Sequence, residues 1–324
     1  MYKILLSAPY MIPFVERFRP VFEGHGCQLI VPEVHERLSE AELLEYAGQF
    51  DGAVTGDDHF TARVLASCIP RLKIISKWGT GIDSIDQQAA ARMGVQIRRT
   101  PNAFTLPVAD SVMGYILAFA RRQPWMDRAM KAGNWEKLPG RSLSECTLGV
   151  VGVGNCGKAV LRRGRAFGMR LLGTDIVEVA PDFFIENGIE MTSLENLLRE
   201  SDFVSLNPDL NPTSRHLINT NTLAMMKPQA VLINTSRGPV VDEPALVHAL
   251  QKGSIAGAAL DVFEIEPLPA DSPLLHMDQV MLAPHNANSS PAAWERVHWN
   301  TIHNLFDGLG IPWDASQTTP ALVD

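Results

Sequence analysis

Apolar and polar positions along this chain fall into short alternating blocks, with no single long period. Residues 4–6 are apolar, 14–23 follow a helical spacing, 28–31 are apolar again and 39–47 helical. The alternation continues through 52–55, 61–66, 72–77, 85–93 and 95–98. Apolar runs a few residues long predict buried strands, and the 3.6-residue spacing predicts helices. Such strict alternation predicts βα units, and so a parallel sheet covered by helices. A break follows at Thr100-Pro-Asn-Ala103, and then a long apolar helical pattern over 108–121. A loop with Trp135 and Pro139 leads to a second series of strand-like pieces at 150–152, 171–174, 203–206, 230–234, 257–262 and 280–282. Residues 291–308 carry an amphipathic helical pattern, expected to return and pack on the first series. The expected fold is α/β with two domains, each a doubly wound parallel sheet with flanking helices. The expected boundaries are 1–101 with 286–324 for one, discontinuous in sequence, and 102–285 for the other.

Composition narrows this picture only slightly. At 324 residues the chain is long for one hydrophobic core, which agrees with two domains. A 46% hydrophobic and 20% charged composition is ordinary for a globular enzyme. The net charge of -8 argues against a nucleic-acid partner. No apolar run has the length of a membrane span, and the N-terminus reads as a strand, without a signal-peptide cleavage pattern. The expected location is therefore the cytoplasm, with no membrane partner. Cys27, Cys68, Cys146 and Cys156 form no C-x-x-C pair, so reduced thiols are expected, with neither a disulfide framework nor a metal site.

The most informative segment is Leu148-Gly-Val-Val-Gly-Val-Gly154-Asn-Cys-Gly157-Lys158. A strand-like run enters glycines spaced G-x-G-x-x-G at Gly152, Gly154 and Gly157, and a second strand-like run ends at Thr174-Asp175. The first glycine permits a tight turn, the second lets the backbone approach a pyrophosphate, and the third lets the next helix pack close. The helix N-terminus then offers unpaired N–H groups to the phosphates. Gly152, Gly154, Asn155, Cys156 and Gly157 are the expected cofactor loop, with Cys156 a small side chain tolerated inside it. Asp175 is expected to accept the adenosine ribose hydroxyls. It is followed by Ile176-Val177-Glu178, with no base for a 2′-phosphate, so NAD is expected over NADP.

Three polar residues stand at later strand ends: Arg237, Glu266 and His285. Ligands of doubly wound sheets bind outside the carboxyl ends of strands, where these residues fall. Reducing a 2-keto acid needs a cation for the carboxylate and the polarised carbonyl, and a proton donor. An Arg fork meets the first need and a His the second. A carboxylate beside the His holds the ring and favours imidazolium. Each residue alone also has a bland reading as a surface or loop group. Together, at successive strand ends of a nucleotide domain, they read as a catalytic set.

These motifs make the chain similar to the NAD-dependent D-isomer-specific 2-hydroxyacid dehydrogenases over nearly its whole length. The matching runs are Gly79-Thr-Gly-Ile-Asp-Ser-Ile-Asp86, the glycine loop with Asp175, Asn234-Thr-Ser-Arg-Gly-Pro-Val-Val-Asp242, Gly257-Ala-Ala-Leu-Asp-Val-Phe263 through Glu266-Pro267, and Ala283-Pro-His285. The resemblance implies a flavodoxin-like substrate domain beside a Rossmann NAD domain, with hinges near Pro101-Asn102 and just after His285. It implies that Arg237 orients the substrate carboxylate and keto oxygen, that His285 is the acid/base, and that Glu266 is its partner. Amides around Thr80 and Gly81, in the loop Trp78-Gly79-Thr80-Gly81, would grip the carboxylate, and Asp261 would face the nicotinamide end of NAD. The implied assembly is a homodimer, and the implied substrate is a small 2-keto or 2-hydroxy acid.

Some positions depart from the phosphoglycerate dehydrogenases of that family, which offer an Arg on the strand corresponding to 54–56. Here Asp57 and Asp58 stand beside it and are expected to repel a phosphate, while Lys77, Arg98 and Arg99 are the candidate replacements. Trp78 is expected to narrow the pocket. The sequence ends soon after the return helix, so no regulatory domain is expected. The expected reaction is that of a glyoxylate or hydroxypyruvate reductase. The alternatives are a 3-phosphoglycerate dehydrogenase and, in another class, a non-catalytic NAD-sensing corepressor-like protein.

Overall fold

A computed structural model of the chain describes residues 1–313 and divides into two compact units, Met1–Phe104 with the stretch that begins at Ser290, and Thr105–Ser289. In the first unit, β1 (Tyr2–Leu6), β2 (Cys27–Ile30), β3 (Gly52–Thr55), β4 (Ile74–Lys77) and β5 (Gln96–Arg98) form a parallel sheet in the order β2-β1-β3-β4-β5. This is the flavodoxin-like order. Every residue of β3 and β4 is buried, as expected of strands covered on both faces, and the polar Thr55, Ser76 and Lys77 lie at their C-terminal ends.

The helix Pro291–Leu309 belongs to this unit and packs on β3 and β4. Ser290 caps its start, Pro291 holds its first position, and Gly310 ends it in the left-handed region. Its seat on the sheet is tight: a Cβ on Gly308 would meet Ile74 Cδ1 at 1.9 Å. The Ser76 hydroxyl donates to the Thr301 carbonyl at 2.8 Å across the same contact.

The second unit holds β6 (Thr147–Val151), β7 (Arg170–Thr174), β8 (Ile189–Met191), β9 (Phe203–Leu206), β10 (Val231–Asn234), β11 (Gly257–Leu260) and β12 (Val280–Leu282). All pair in parallel, in the order β12-β11-β10-β9-β6-β7-β8. Counted from the glycine-loop strand this is the Rossmann order with one strand added at the far edge. The sheet has seven strands where the apolar runs predict six. The unforeseen strand is β8, in which only Ile189 is buried, so no apolar run marks it. The helix Gln123–Lys131 likewise buries no residue and has no strong sequence signal.

Apolar side chains cover both sheet faces, Leu148, Val150 and Ile233 in one cluster and Val151, Val204 and Leu232 in the other. The strand order reverses between β6 and β9, which makes the carboxyl ends of these two strands the switch point for a ligand. No helix among the described residues is long and apolar enough to cross a membrane.

Candidate active site

The glycine loop leaves β6 at Val151 and enters the helix Asn155–Ala166 directly. Gly152 has φ +86, and a Cβ there would meet the Pro208 nitrogen at 2.8 Å, so the chain leaving β9 passes against it. A Cβ on Gly157 would meet the Gly152 carbonyl oxygen at 2.1 Å, so the third glycine lets the helix sit on the loop. Gly154 differs: a Cβ there meets nothing within 4 Å. The protein leaves the space in front of Gly154 open, and no side chain caps the helix start. The first amides of this helix are thus available to an anion. Asn155 is exposed in the first helical turn, and Cys156 is half-buried. Burial pushes the Cys156 thiol up, against any role as a thiolate.

Asp175 follows β7 and braces the loop. Its Oδ2 accepts the Val153 N–H at 2.6 Å and its Oδ1 accepts the Val177 N–H at 2.9 Å. A carboxylate has about four acceptor sites, so capacity for hydroxyl donors remains. Ile176 and Val177 beside it are exposed apolar surface. At the ends of β9 and β10, Asn207 Oδ1 and Thr235 Oγ1 are buried without a hydrogen-bond partner. An open glycine loop on a helix start, a carboxylate beyond the second strand and orphaned polar atoms at the carboxyl ends of β9 and β10 together fit a dinucleotide.

The loops after β10, β11 and β12 carry the remaining polar set. Arg237 is half-buried; its Nη1 donates to the Ser236 carbonyl at 2.8 Å, and its own carbonyl accepts from Asn234 Nδ2 at 2.9 Å. Glu266 and His285, 19 residues apart in sequence, come together with Glu266 Oε2 3.2 Å from His285 Nδ1. Both side chains are largely buried, at 15% and 21% exposure. Glu266 Oε1 also accepts the Phe263 N–H at 3.0 Å, which fixes the carboxylate plane. Among the described residues, no group of three or more His, Cys, Asp or Glu is placed to hold a metal.

Several residues position this set through contacts that the sequence does not show. Gly238 is one: a Cβ there would lie 1.8 Å from the Phe263 carbonyl oxygen, so only glycine lets the Arg237 loop lie against the Glu266 loop. Glu264 is held on both sides, by His216 Nε2 at 2.5 Å from its Oε1 and by Glu243 Oε2, which accepts its N–H at 3.1 Å. Asp261 is 1% exposed, and both its carboxylate oxygens hold amides just beyond His285. The Arg-Gly-Pro run and the Leu-Asp-Val run are visible as motifs, but the backbone approaches they serve are not.

In the other unit, Trp78, Gly79, Thr80 and Gly81 follow β4. Gly79 has φ +118. Its carbonyl accepts both the Thr100 N–H at 2.9 Å and the Thr100 hydroxyl at 3.0 Å, and the Thr80 carbonyl accepts from Arg99 at 3.2 Å. Two of the loop carbonyls are thereby engaged, while the amides of Thr80 and Gly81 donate to no backbone carbonyl among the described residues. Trp78 is 3% exposed, stacks on Tyr10 with ring centroids 4.6 Å apart, and donates from Nε1 to His298 Nδ1 at 2.9 Å. It is a buried strut of its unit, not bulk projecting from the loop.

The expected pair of repelling acids also needs correction. Asp58 is fully buried and accepts from the Leu38 N–H at 2.6 Å, the Thr55 hydroxyl at 2.5 Å and the Ser7 hydroxyl. Its carboxylate ties three chain segments together and points inward. Asp57 is paired with Lys77 at 2.8 Å. Arg98 is paired with Asp307, and Arg99 serves the Thr80 carbonyl.

The sequence profile of the D-isomer specific 2-hydroxyacid dehydrogenase NAD binding domain matches residues 113–287. The chain is 43% identical to a glyoxylate reductase of Korarchaeum cryptofilum over 79% of this chain and 77% of that protein. It is 38% identical to a D-3-phosphoglycerate dehydrogenase of Methanocaldococcus jannaschii, over 81% of this chain but 50% of that one. Among solved structures, a D-lactate dehydrogenase of Aquifex aeolicus complexed with NAD and lactic acid superposes with a TM-score of 0.85 at 28% identity, covering 95% of each chain. The chain belongs to the D-isomer-specific 2-hydroxyacid dehydrogenase family and is an NAD-dependent enzyme of that class.

Proposed function

We propose that the enzyme reduces a small, unphosphorylated 2-keto acid, of the glyoxylate or hydroxypyruvate kind, to its D-2-hydroxy acid. The observation that carries this reading is the buried Glu266–His285 pair, Oε2 to Nδ1 at 3.2 Å, on the strand ends next to Arg237. Gly152, Gly154, Asn155, Cys156, Gly157 and Asp175 hold the cofactor, with Asp261 at its nicotinamide end. Bound NADH supplies the hydride. Arg237 binds the substrate carboxylate and polarises the keto oxygen, drawing charge toward that oxygen as the carbonyl is reduced. His285 gives the keto oxygen a proton from Nε2, because Nδ1 faces Glu266. Glu266 fixes the ring and favours its protonated form. In the first unit, the amides of Thr80 and Gly81 grip the carboxylate, with Trp78 and Gly79 shaping the loop.

The preference against phosphate rests on three commitments: Lys77 to Asp57, Arg98 to Asp307 and Arg99 to Thr80. The enzyme is further proposed to be a cytoplasmic homodimer. The discriminating experiment is NADH oxidation against glyoxylate, hydroxypyruvate, pyruvate, longer 2-keto acids and phosphohydroxypyruvate. Hydroxypyruvate or glyoxylate should give the highest kcat/KM. A higher value for phosphohydroxypyruvate would replace this reading with that of a phosphoglycerate dehydrogenase, and turnover of none of them would favour a non-catalytic, NAD-sensing role.

A further inference from the structure

His285 sits in an unusual backbone position. Its φ is +49, in the left-handed region that non-glycine residues seldom occupy and that needs support from its surroundings. Ring direction follows backbone direction, so whatever holds this turn also aims the imidazole. Asp261 supplies three contacts to this turn. The Asp261 carbonyl accepts the His285 N–H at 2.7 Å, continuing the β11–β12 ladder one step past the strands. The Asp261 Oδ1 accepts the Asn286 N–H at 2.8 Å and its Oδ2 accepts the Ala287 N–H at 2.9 Å. Three consecutive amides, 285 to 287, therefore end on one side chain and its own carbonyl.

We infer that Asp261 is a positioning residue for His285, and that its carboxylate acts on catalysis by fixing the left-handed turn that presents the imidazole. The inference rests on His285 being the proton donor. It adds to the placement of Asp261 at the nicotinamide end, since each oxygen keeps a second acceptor site for a cofactor amide. A carboxylate suits this role because it is acceptor-only at both oxygens. An asparagine would turn an NH2 toward one of the two amides and leave that donor facing a donor.

The test is a mutant cycle with two readouts, kcat/KM for hydroxypyruvate and the Kd for NADH measured by fluorescence. Asp261→Asn should lower kcat by about 100-fold, the cost of a misplaced catalytic group. Its NADH Kd should rise no more than about tenfold, the value of one hydrogen bond. In a His285→Ala background the same substitution should cost nothing further in kcat/KM, because the group it positions is gone. An equal loss in both backgrounds, or a loss lying wholly in NADH Kd, overturns the inference. His285→Ala alone separates the two levels. Near-normal turnover in that variant defeats the proton-donor reading. Slow turnover in His285→Ala with near-normal turnover in Asp261→Asn defeats only the inference. If Asp261→Asn does not fold, Asp261→Glu enters the same cycle, since it keeps the charge but displaces both oxygens, and its loss too should vanish in the His285→Ala background.

Discussion

Alanine at Gly154 and at Gly157 should have opposite consequences, although the two glycines lie three residues apart in one motif. At Gly157 an added Cβ would stand 2.1 Å from the Gly152 carbonyl oxygen and 3.1 Å from its carbon, both backbone atoms that cannot rotate away. The helix start must lift by more than about 1 Å, an overpacking cost of about 1–3 kcal/mol. For a unit of this size that lowers Tm by about 2–12 °C, at about 2–4 °C per kcal/mol. At Gly154 the backbone is extended, with φ -72, and the Cβ enters empty space. As Gly154 is the N-cap, where Ala is poorer than Gly, stability should fall by about 1 kcal/mol at most. The methyl instead occupies the approach of the pyrophosphate. Losing one charge-assisted hydrogen bond there costs about 1.5–3 kcal/mol, so NADH Kd should rise roughly 10- to 150-fold. Fluorescence titration with NADH and thermal unfolding read the two effects separately. A Gly154→Ala enzyme with wild-type NADH affinity would refute the placement of the pyrophosphate on this loop. A Gly157→Ala enzyme with wild-type Tm would refute the packing role of the third glycine.

Arg237→Lys keeps the charge but loses the fork, and should lower kcat/KM by about 10- to 100-fold with NADH Kd unchanged; near-normal turnover removes Arg237 from the site. Glu266→Gln removes the negative partner of His285, so the imidazolium is held less well and the alkaline limb of keto-acid reduction should move to lower pH; an unmoved limb shows that Glu266 does not tune His285. Asp175→Asn should weaken NADH and narrow the gap to NADPH, and a wild-type enzyme with a higher kcat/KM for NADPH than NADH contradicts the cofactor reading. Burial holds His298 down at about 4 against a reference of 6.5, so the unfolded chain binds its proton first on acidification. Stability should therefore fall as pH drops from 6.5 toward about 4, by up to roughly 3 kcal/mol, and His298→Gln should flatten that slope in pH-dependent unfolding; an equal slope in the variant would assign the acid lability elsewhere.

What could be read from the chain depended on how much of each feature lay in local sequence. Fully buried strands such as Phe203–Leu206 and Val231–Asn234 announce themselves, because both faces must be apolar. The edge strand Ile189–Met191 did not, because one buried residue makes no pattern. The glycine spacing was legible as a motif, although Gly157 answers its own loop at Gly152, Gly152 answers the chain at Pro208, and Gly154 meets no atom of the protein. Distances between loops were not legible. Nothing local says that Glu266 Oε2 lies 3.2 Å from His285 Nδ1, or that Gly238 is pressed on the Phe263 carbonyl. Side-chain direction was the other gap. Asp57 and Asp58 are neighbours in sequence, yet one reaches Lys77 and the other turns inward to an amide and two hydroxyls. Trp78 likewise turns into its own unit, where Tyr10 and His298 receive it.

That inward turn changes the argument about phosphate without reversing it. Two exposed acids would have repelled a phosphorylated substrate directly, whereas Asp58 is buried and hydrogen-bonded and Asp57 is neutralised by Lys77. On the proposed reading the obstacle is instead that the nearby cations are already engaged. A phosphate needs positive charge, and the Lys77 side chain is 4% exposed and already spent on Asp57. Drawing Lys77 away would leave a partly buried carboxylate unpaired, at a cost of about 3 kcal/mol at most, because Asp57 is itself about a third exposed. Arg98 and Arg99 have their own partners in Asp307 and the Thr80 carbonyl, and the second of these contacts helps keep the Gly79–Gly81 loop in shape. Recruiting any of the three would therefore break a contact that the unit already uses. On the proposed reading a small keto acid asks for nothing there beyond the amides of that loop, which is why the unphosphorylated substrate is the one proposed for this chain.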